Sequence, residues 1–257
     1  MNIARSVITL TFGDCAENHV GMEKLGQLSA KGEGYSVAEL NTLQTKLKNE
    51  HHLNCELYRL DQNEYEEFPE AAVLVIRNGV DALIATQAIN LFNEQAALDV
   101  DKKAKMYGRV VQKHARWNLC FDDIGHDPDY ENGKGRVVAY KDVPFTQRLK
   151  ANLPAFFGEK ARELKCEANY YYDVKKCGIG FHGDSERRKV IGIRLGASLD
   201  MVWQWYKDNE VVDEPIVVPL NGGDVYIMSE KAVGTDWKQR SIYTLRHATG
   251  CEKFVTV

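Results

Sequence analysis

Gly178-Ile179-Gly180-Phe181-His182-Gly183-Asp184 is the stretch on which the reading of this chain turns. Side chains alternate along a strand. Ile179 and Phe181 are therefore expected on one face, and Gly178, Gly180, His182 and Asp184 on the other. Two glycines ahead of an imidazole and a carboxylate leave room in front of both polar groups. Ligands two residues apart can grip one metal ion from one side. Histidine plus carboxylate, with open positions opposite, is the ligand chemistry of non-haem iron(II) sites. A bare His-x-Asp fixes only two positions, and its plainer alternative is a turn in which Asp184 caps the Ser-Glu-Arg-Arg segment that follows.

The surroundings favour a strand-rich setting. Residues 168–173, 178–182, 190–195, 201–206, 215–220, 224–228 and 241–247 read as strands, and their close spacing suggests a sandwich or barrel. Trp203 and Trp205 fall on one face as core aromatics. About 60 residues after the His-x-Asp, Arg240-Ser-Ile-Tyr-Thr-Leu-Arg246 places two arginines six apart. On a strand they point the same way, with Ile242 and Thr244 between them. Two converging guanidinium groups suit a dicarboxylate, because each can form paired hydrogen bonds to a carboxylate. Taken alone, the pair reads more plainly as two surface arginines.

Asn169-x-Tyr171, His182-x-Asp184-x-Glu186, Gly223-Asp224-Val225 and Arg240-x5-Arg246 occur in that order. This succession resembles the AlkB-like iron(II)- and 2-oxoglutarate-dependent dioxygenases over residues 166–250. The resemblance implies an α+β chain whose C-terminal part is a double-stranded β-helix, or jelly roll. It implies iron(II), 2-oxoglutarate and O2 as cofactor and co-substrates. Asn169 and Tyr171 would hydrogen-bond 2-oxoglutarate, and Arg240 and Arg246 would bind its carboxylates, with Thr244 on the same side. Glu186 would meet the target base. The substrate would be a nucleobase or a protein side chain, the former being the family's commonest theme. The family also has a second histidine before the first arginine. That position falls here on Asp236, and no histidine lies between His182 and His247. Three completions stay open. Asp236 is the first candidate for third ligand. His247 is the second, although alternation from Arg246 puts it on the opposite face unless a bulge reverses it. In the third the site is degenerate, and the chain is a binding module for nucleic acid or a protein partner.

Upstream, residues 1–108 read as an α/β region without an assigned role, and 109–257 as the oxygenase domain. Val7 to Phe12, Leu53 to Leu60 and Ala71 to Ile76 are expected strands. Ser36 with Glu39 is a capping box that opens a helix over about 37–50. Asp81 is expected to cap a second helix with Leu83, Ile84, Ala88, Leu91 and Phe92 on its apolar face. The lysine-rich stretch 99–109 reads as a linker, 122–136 as a loop, and Pro144 as the first residue of a helix burying Leu149, Leu153, Phe156 and Phe157. Trp117 is a candidate base-stacking residue. Arg187, with Arg188 and Lys189, is a candidate phosphate contact at the mouth of the site.

A net charge of −4 and a pI near 6.0 confine any nucleic-acid binding to a local patch. The six cysteines include no C-x-x-C pair, which argues against a zinc ribbon. Free thiols, no apolar leader and no long apolar run lead to the expectation of an intracellular protein, cytoplasmic or nuclear, that does not enter the membrane.

Overall fold

The computed structural model of the chain describes residues 1–63 and 66–256. The first strand, β1 (Val7–Gly13), is buried along its whole length. A small hairpin follows, β2 (Cys15–Glu17) with β3 (Lys24–Gly26). Helix α1 (Val37–His51) starts at the expected capping box: Ser36 Oγ accepts from the Glu39 amide, and the Glu39 side chain accepts from the Ser36 amide. Strands β4 (Cys55–Arg59) and β5 (Ala72–Ile76) come next.

The second expected helix is two helices, α2 (Gly79–Ile84) and α3 (Ala88–Ala96), broken where Ala85 takes a left-handed φ of 53°. Asp81 caps the second of them, its carboxylate accepting from the Ala88 amide. The lysine-rich stretch is no linker. It forms the β6 (Lys103–Met106) and β7 (Arg109–Gln112) ribbon, in which local pairing across the Tyr107-Gly108 turn satisfies the backbone. Then come β8 (Trp117–Asp122), β9 (Val137–Ala139) and α4 (Pro144–Phe157) with Pro144 at its start. The remaining elements are β10 (Lys165–Tyr171), β11 (Gly178–His182), β12 (Val190–Gly196), β13 (Met201–Lys207), β14 (Glu210–Val211), β15 (Ile216–Val218), β16 (Val225–Met228), α5 (Glu230–Val233), β17 (Thr244–Gly250) and α6 (Glu252–Val255).

The chain is mixed α+β, with antiparallel sheets and a curled half-barrel. An eight-stranded sheet runs β4-β5-β16-β12-β1-β10-β8-β9. A five-stranded sheet runs β11-β17-β13-β14, with β15 also paired to β13. Along β1, Ile8, Leu10 and Phe12 turn to one side and join the main core, which holds Leu40 and Leu47 of α1, Leu91 of α3 and Leu149 and Leu153 of α4. Each such side chain stabilises the fold by about 1.5–3 kcal/mol relative to exposure. Thr9 and Thr11 turn to the other side, into a cavity.

β1 hydrogen-bonds to β10 and β12 along seven residues on each side. Residues from both sides of position 108 thus share one sheet and one core, and the expected division there does not separate two packed units.

Candidate metal centre

β11 and β17 pair so that His182 stands directly opposite His247. One step back along the ladder, Ile179 opposes Thr249. Three residues on β11 thus match two on β17, and this bulge turns Ile179 and His182 to the same side. Ile179, His182, Asp184, His247 and Thr249 all line one cavity. Gly178 lies against Phe254, where a Cβ would come within 2.3 Å of the ring. That glycine accommodates α6 rather than opening the site.

His182 Nε2 lies 3.5 Å from Asp184 Oδ1, and His247 Nε2 lies 3.7 Å from the same oxygen. One ligand atom from each residue fits within 4.8 Å of the others. His182 Nδ1 lies 2.8 Å from the Gly180 carbonyl, so it carries the proton and leaves Nε2 as the free lone pair. His247 is 5% exposed. Burial first, then the charges of His182 and Arg187, hold its pKa well below the ordinary histidine value, while the Ala232 carbonyl pulls the other way. A neutral imidazole is the form that binds metal. Two histidines and one carboxylate on one side of a cavity offer three ligand atoms that could hold a metal ion.

The turn carrying Asp184 is fixed from two directions. The Asp184 amide donates to the Val233 carbonyl. Gly183 packs so closely on the Gly234 turn that a Cβ would lie 2.0 Å from the Gly234 carbonyl oxygen. Beneath it lies Arg187, whose side chain is 3% exposed and pairs with Glu167 at 2.8 Å and Glu186 at 2.7 Å. Its Nε is 3.7 Å from Asp184 Oδ2.

The residue grouped with His182 and Asp184 is therefore His247. Asp236 stands elsewhere: its carboxylate accepts from Lys231 Nζ at 2.7 Å, and it borders a separate depression of about 420 Å³ together with Ile242 and Glu230. The arginine pair is also displaced. The last strand begins at Thr244 rather than near 241, which leaves Arg240 exposed in the preceding turn. Arg246 lies over the Tyr206 ring at 4.0 Å and the Trp237 ring at 5.3 Å, and donates to Asn209. Alternation along β17 puts Thr244 and Arg246 on the side away from His247 and Thr249, and neither lines the cavity.

Asn169, Tyr171 and Glu186 do line it. Asn169 Oδ1 accepts from Arg116 Nε and Asn118 Nδ2, each at 2.7 Å. Arg187 lies buried under Asp184 rather than at the mouth as a phosphate contact, and Arg188 is spent on Glu230 and the Ser29 carbonyl. The Trp117 ring is stacked on Tyr172 at 4.4 Å, with Lys102 Nζ 4.6 Å from its centre. It is already engaged by its own chain. The cavity has a volume of about 520 Å³, within the range of small-molecule sites. Its far wall holds groups that the sequence did not single out: Thr9 of β1, Arg194 of β12 and Tyr226 of β16.

The chain is 49% identical over 259 residues to "Uncharacterized protein R156" of Acanthamoeba polyphaga mimivirus, covering 99% of this chain and 100% of the viral protein. The chain belongs to the family of that protein. No family model matches the sequence. The match spans the whole length of the chain and so includes the segments on both sides of the cavity.

Among the described residues, no helix is long and apolar enough to cross a membrane.

Proposed function

We propose that this chain is an iron(II)- and 2-oxoglutarate-dependent oxygenase whose metal is held by His182, Asp184 and His247. The observation that carries the reading is the convergence of those three side chains on one side of a cavity. The donor set fits iron(II): two neutral imidazoles and one carboxylate are the ligands non-haem oxygenases use.

The strand arrangement supports the same reading. From β10 to β13 the chain alternates between the large and the smaller sheet, and β15, β16 and β17 continue through the smaller, the large and the smaller again. A jelly roll is eight strands in two facing sheets. Here seven come in chain order, with the two-residue β14 an addition to the smaller sheet, and the eighth place, between β10 and β12, is taken by β1. On this view the fold is a jelly roll closed by its own N-terminal strand, widened by β4 and β5 on one edge and β8 and β9 on the other.

Bound iron would supply the site for reducing O2. The overall reaction converts a substrate C–H bond, O2 and 2-oxoglutarate into a C–OH bond, succinate and carbon dioxide. One oxygen atom enters each organic product. Oxidative decarboxylation of the oxo acid and oxidation of the C–H bond each provide two electrons. The chain's own contributions are local. Gly180 orients His182, burial keeps His247 neutral, and the Arg187 cluster holds the Asp184 turn. Tyr171 and Asn169 offer polar contacts inside the cavity. A nucleobase or protein side chain is the substrate class the resemblance implies, with removal of an N-linked methyl one outcome. A jelly-roll module without catalysis is the alternative that a missing second histidine would favour, and the grouping of His247 with His182 and Asp184 supports the oxygenase reading instead.

Anaerobic titration of the apoprotein with iron(II) and 2-oxoglutarate tests the proposal. The visible charge-transfer band of a bound 2-oxo acid should appear in the wild type and in Asp236→Asn, and be absent in His182→Ala and His247→Ala. A band that survives loss of His247 but not of Asp236 would sink this ligand set.

A further inference from the structure

Arg194 is fully buried in the middle of the large sheet, at the wall of the cavity. Its Nη1 donates to Thr9 Oγ1 at 2.9 Å. Its Nε and Nη2 are buried and have no hydrogen-bond partner. Among the described residues, no carboxylate lies within ion-pair distance of it, whereas the other buried arginine of this cavity, Arg187, has three acidic neighbours.

A guanidinium taken out of water without a counter-charge is costly. Arg194 bears that cost, whereas Arg187 is ion-paired to Glu167 and Glu186. The two nitrogens left free are also a particular pair. Nε and Nη2 lie along one edge of the guanidinium plane and point their N–H bonds in parallel, the geometry that a carboxylate accepts with both oxygens. The surroundings match. Tyr171 and Tyr226 line the same cavity, and the charge on Arg194 acts on both hydroxyls. Neither hydroxyl makes a hydrogen bond within the described residues. Gly192 lets Tyr226 in: a Cβ there would fall 1.9 Å from the Tyr226 ring. Arg240 and Arg246, the arginines expected to bind carboxylates, are outside the cavity.

We propose that Arg194, with Thr9 holding its far nitrogen and Tyr171 and Tyr226 beside it, is the carboxylate-binding site of this cavity. The ligand is a small organic acid whose carboxylate meets the Nε–Nη2 edge, while its other end faces His182, Asp184 and His247. Identifying that acid as 2-oxoglutarate rests on the proposed oxygenase function. The carboxylate site itself does not, because it needs no metal.

The test is calorimetric titration of the full chain in excess chelator, with succinate, 2-oxoglutarate, butyrate and inorganic phosphate as probes. Succinate and 2-oxoglutarate should bind the wild type. Arg194→Gln should weaken them roughly ten- to a hundredfold, the loss of charge-assisted hydrogen bonds. Arg194→Lys should recover only part, since an ammonium is a point charge without the fork. Arg240→Gln and Arg246→Gln should bind as the wild type does. If Arg194→Gln does not fold, Thr9→Val takes its place: it frees Nη1, and the dicarboxylates should weaken several-fold. Unchanged affinity in the Arg194 or Thr9 variants would overturn the proposal, as would tighter binding of phosphate than of any carboxylate, or loss on changing Arg240. Cobalt(II) titration, read from its visible spectrum, separates the two ideas. Carboxylate binding without metal binding leaves this site standing and removes the oxygenase reading. Metal binding without carboxylate binding does the reverse.

Discussion

His247 and Asp236 show at the scale of single residues how a correct rule can be applied to the wrong face. Alternation along the last strand does set His247 opposite Arg246. The arginine side is not the cavity side, because Arg246 lies over Tyr206 and Trp237. His247→Ala should therefore abolish tight cobalt(II) binding by the apoprotein, and Asp236→Asn should leave it within experimental error of the wild type. Equal losses in both variants would contradict the assigned ligands. Arg187 permits a second expectation. Glu167 stays buried when its guanidinium partner is removed, so Arg187→Met should destabilise the fold by about 3–5 kcal/mol, the usual result of breaking a buried ion pair from one side. Urea unfolding measures this directly, and a change below about 1 kcal/mol, the range of exposed pairs, would mean water reaches the cluster.

Individual elements carry the next two expectations. The turn after β11 approaches the Gly234 turn at a distance that tolerates no side chain on Gly183. Gly183→Ala must push the two turns apart and move Asp184 with them. A stability loss of about 1–3 kcal/mol from overpacking, together with weaker cobalt(II) binding, is expected. Retention of both would show that the turn yields without moving Asp184. On the far edge of the large sheet, Arg77 ties β4 to β16 by pairing with Glu56 at 2.9 Å and Asp224 at 2.8 Å. The hydrogen bond from Arg77, with help from Tyr58, holds the Glu56 carboxyl down at about 2, against 4.5 for the free group. A carboxyl whose folded pKa is depressed contributes stability above its unfolded pKa. That contribution should decline as pH falls from about 4.5 to about 2, and Glu56→Gln should lack this part of the decline. Urea midpoints of the two proteins across that window check it; parallel curves would mean the edge is not tied through Glu56.

For the molecule as a whole, the position of β1 is the dominant fact. It fills the middle of the eight-stranded sheet and supplies Thr9 to the cavity wall. A chain beginning after residue 13 would leave the facing edges of β10 and β12 without partners, and open edges of this length invite aggregation. Such a truncation should give no cooperative thermal transition by circular dichroism. A cooperative transition near that of the full chain would show that the roll closes without β1. The same placement explains why the chain does not divide into two successive regions: contacts between residues about 160 apart, such as Thr9 with Asn169, decide where the sheet is.

Local chemistry was legible in the sequence. Ser36 with Glu39, Pro144 and the buried side chains that follow it, the alternation of Trp203 and Trp205, and the pairing of His182 with Asp184 each depend on residues within one or two turns or strands, where spacing alone sets the face. What the sequence could not settle was set by pairing at long range. A one-residue bulge in β11 chose which of its side chains face inward, the start of β17 at Thr244 removed Arg240 from the strand, and the register of β17 against β11 brought His247 to His182. Arg194 reads as an ordinary strand residue until β1 and β16 are laid on either side of β12, and only then is it a buried cation facing a cavity without a counter-charge. Burial is a property of what the whole chain places around a residue, and that is why the tertiary structure alone decided it.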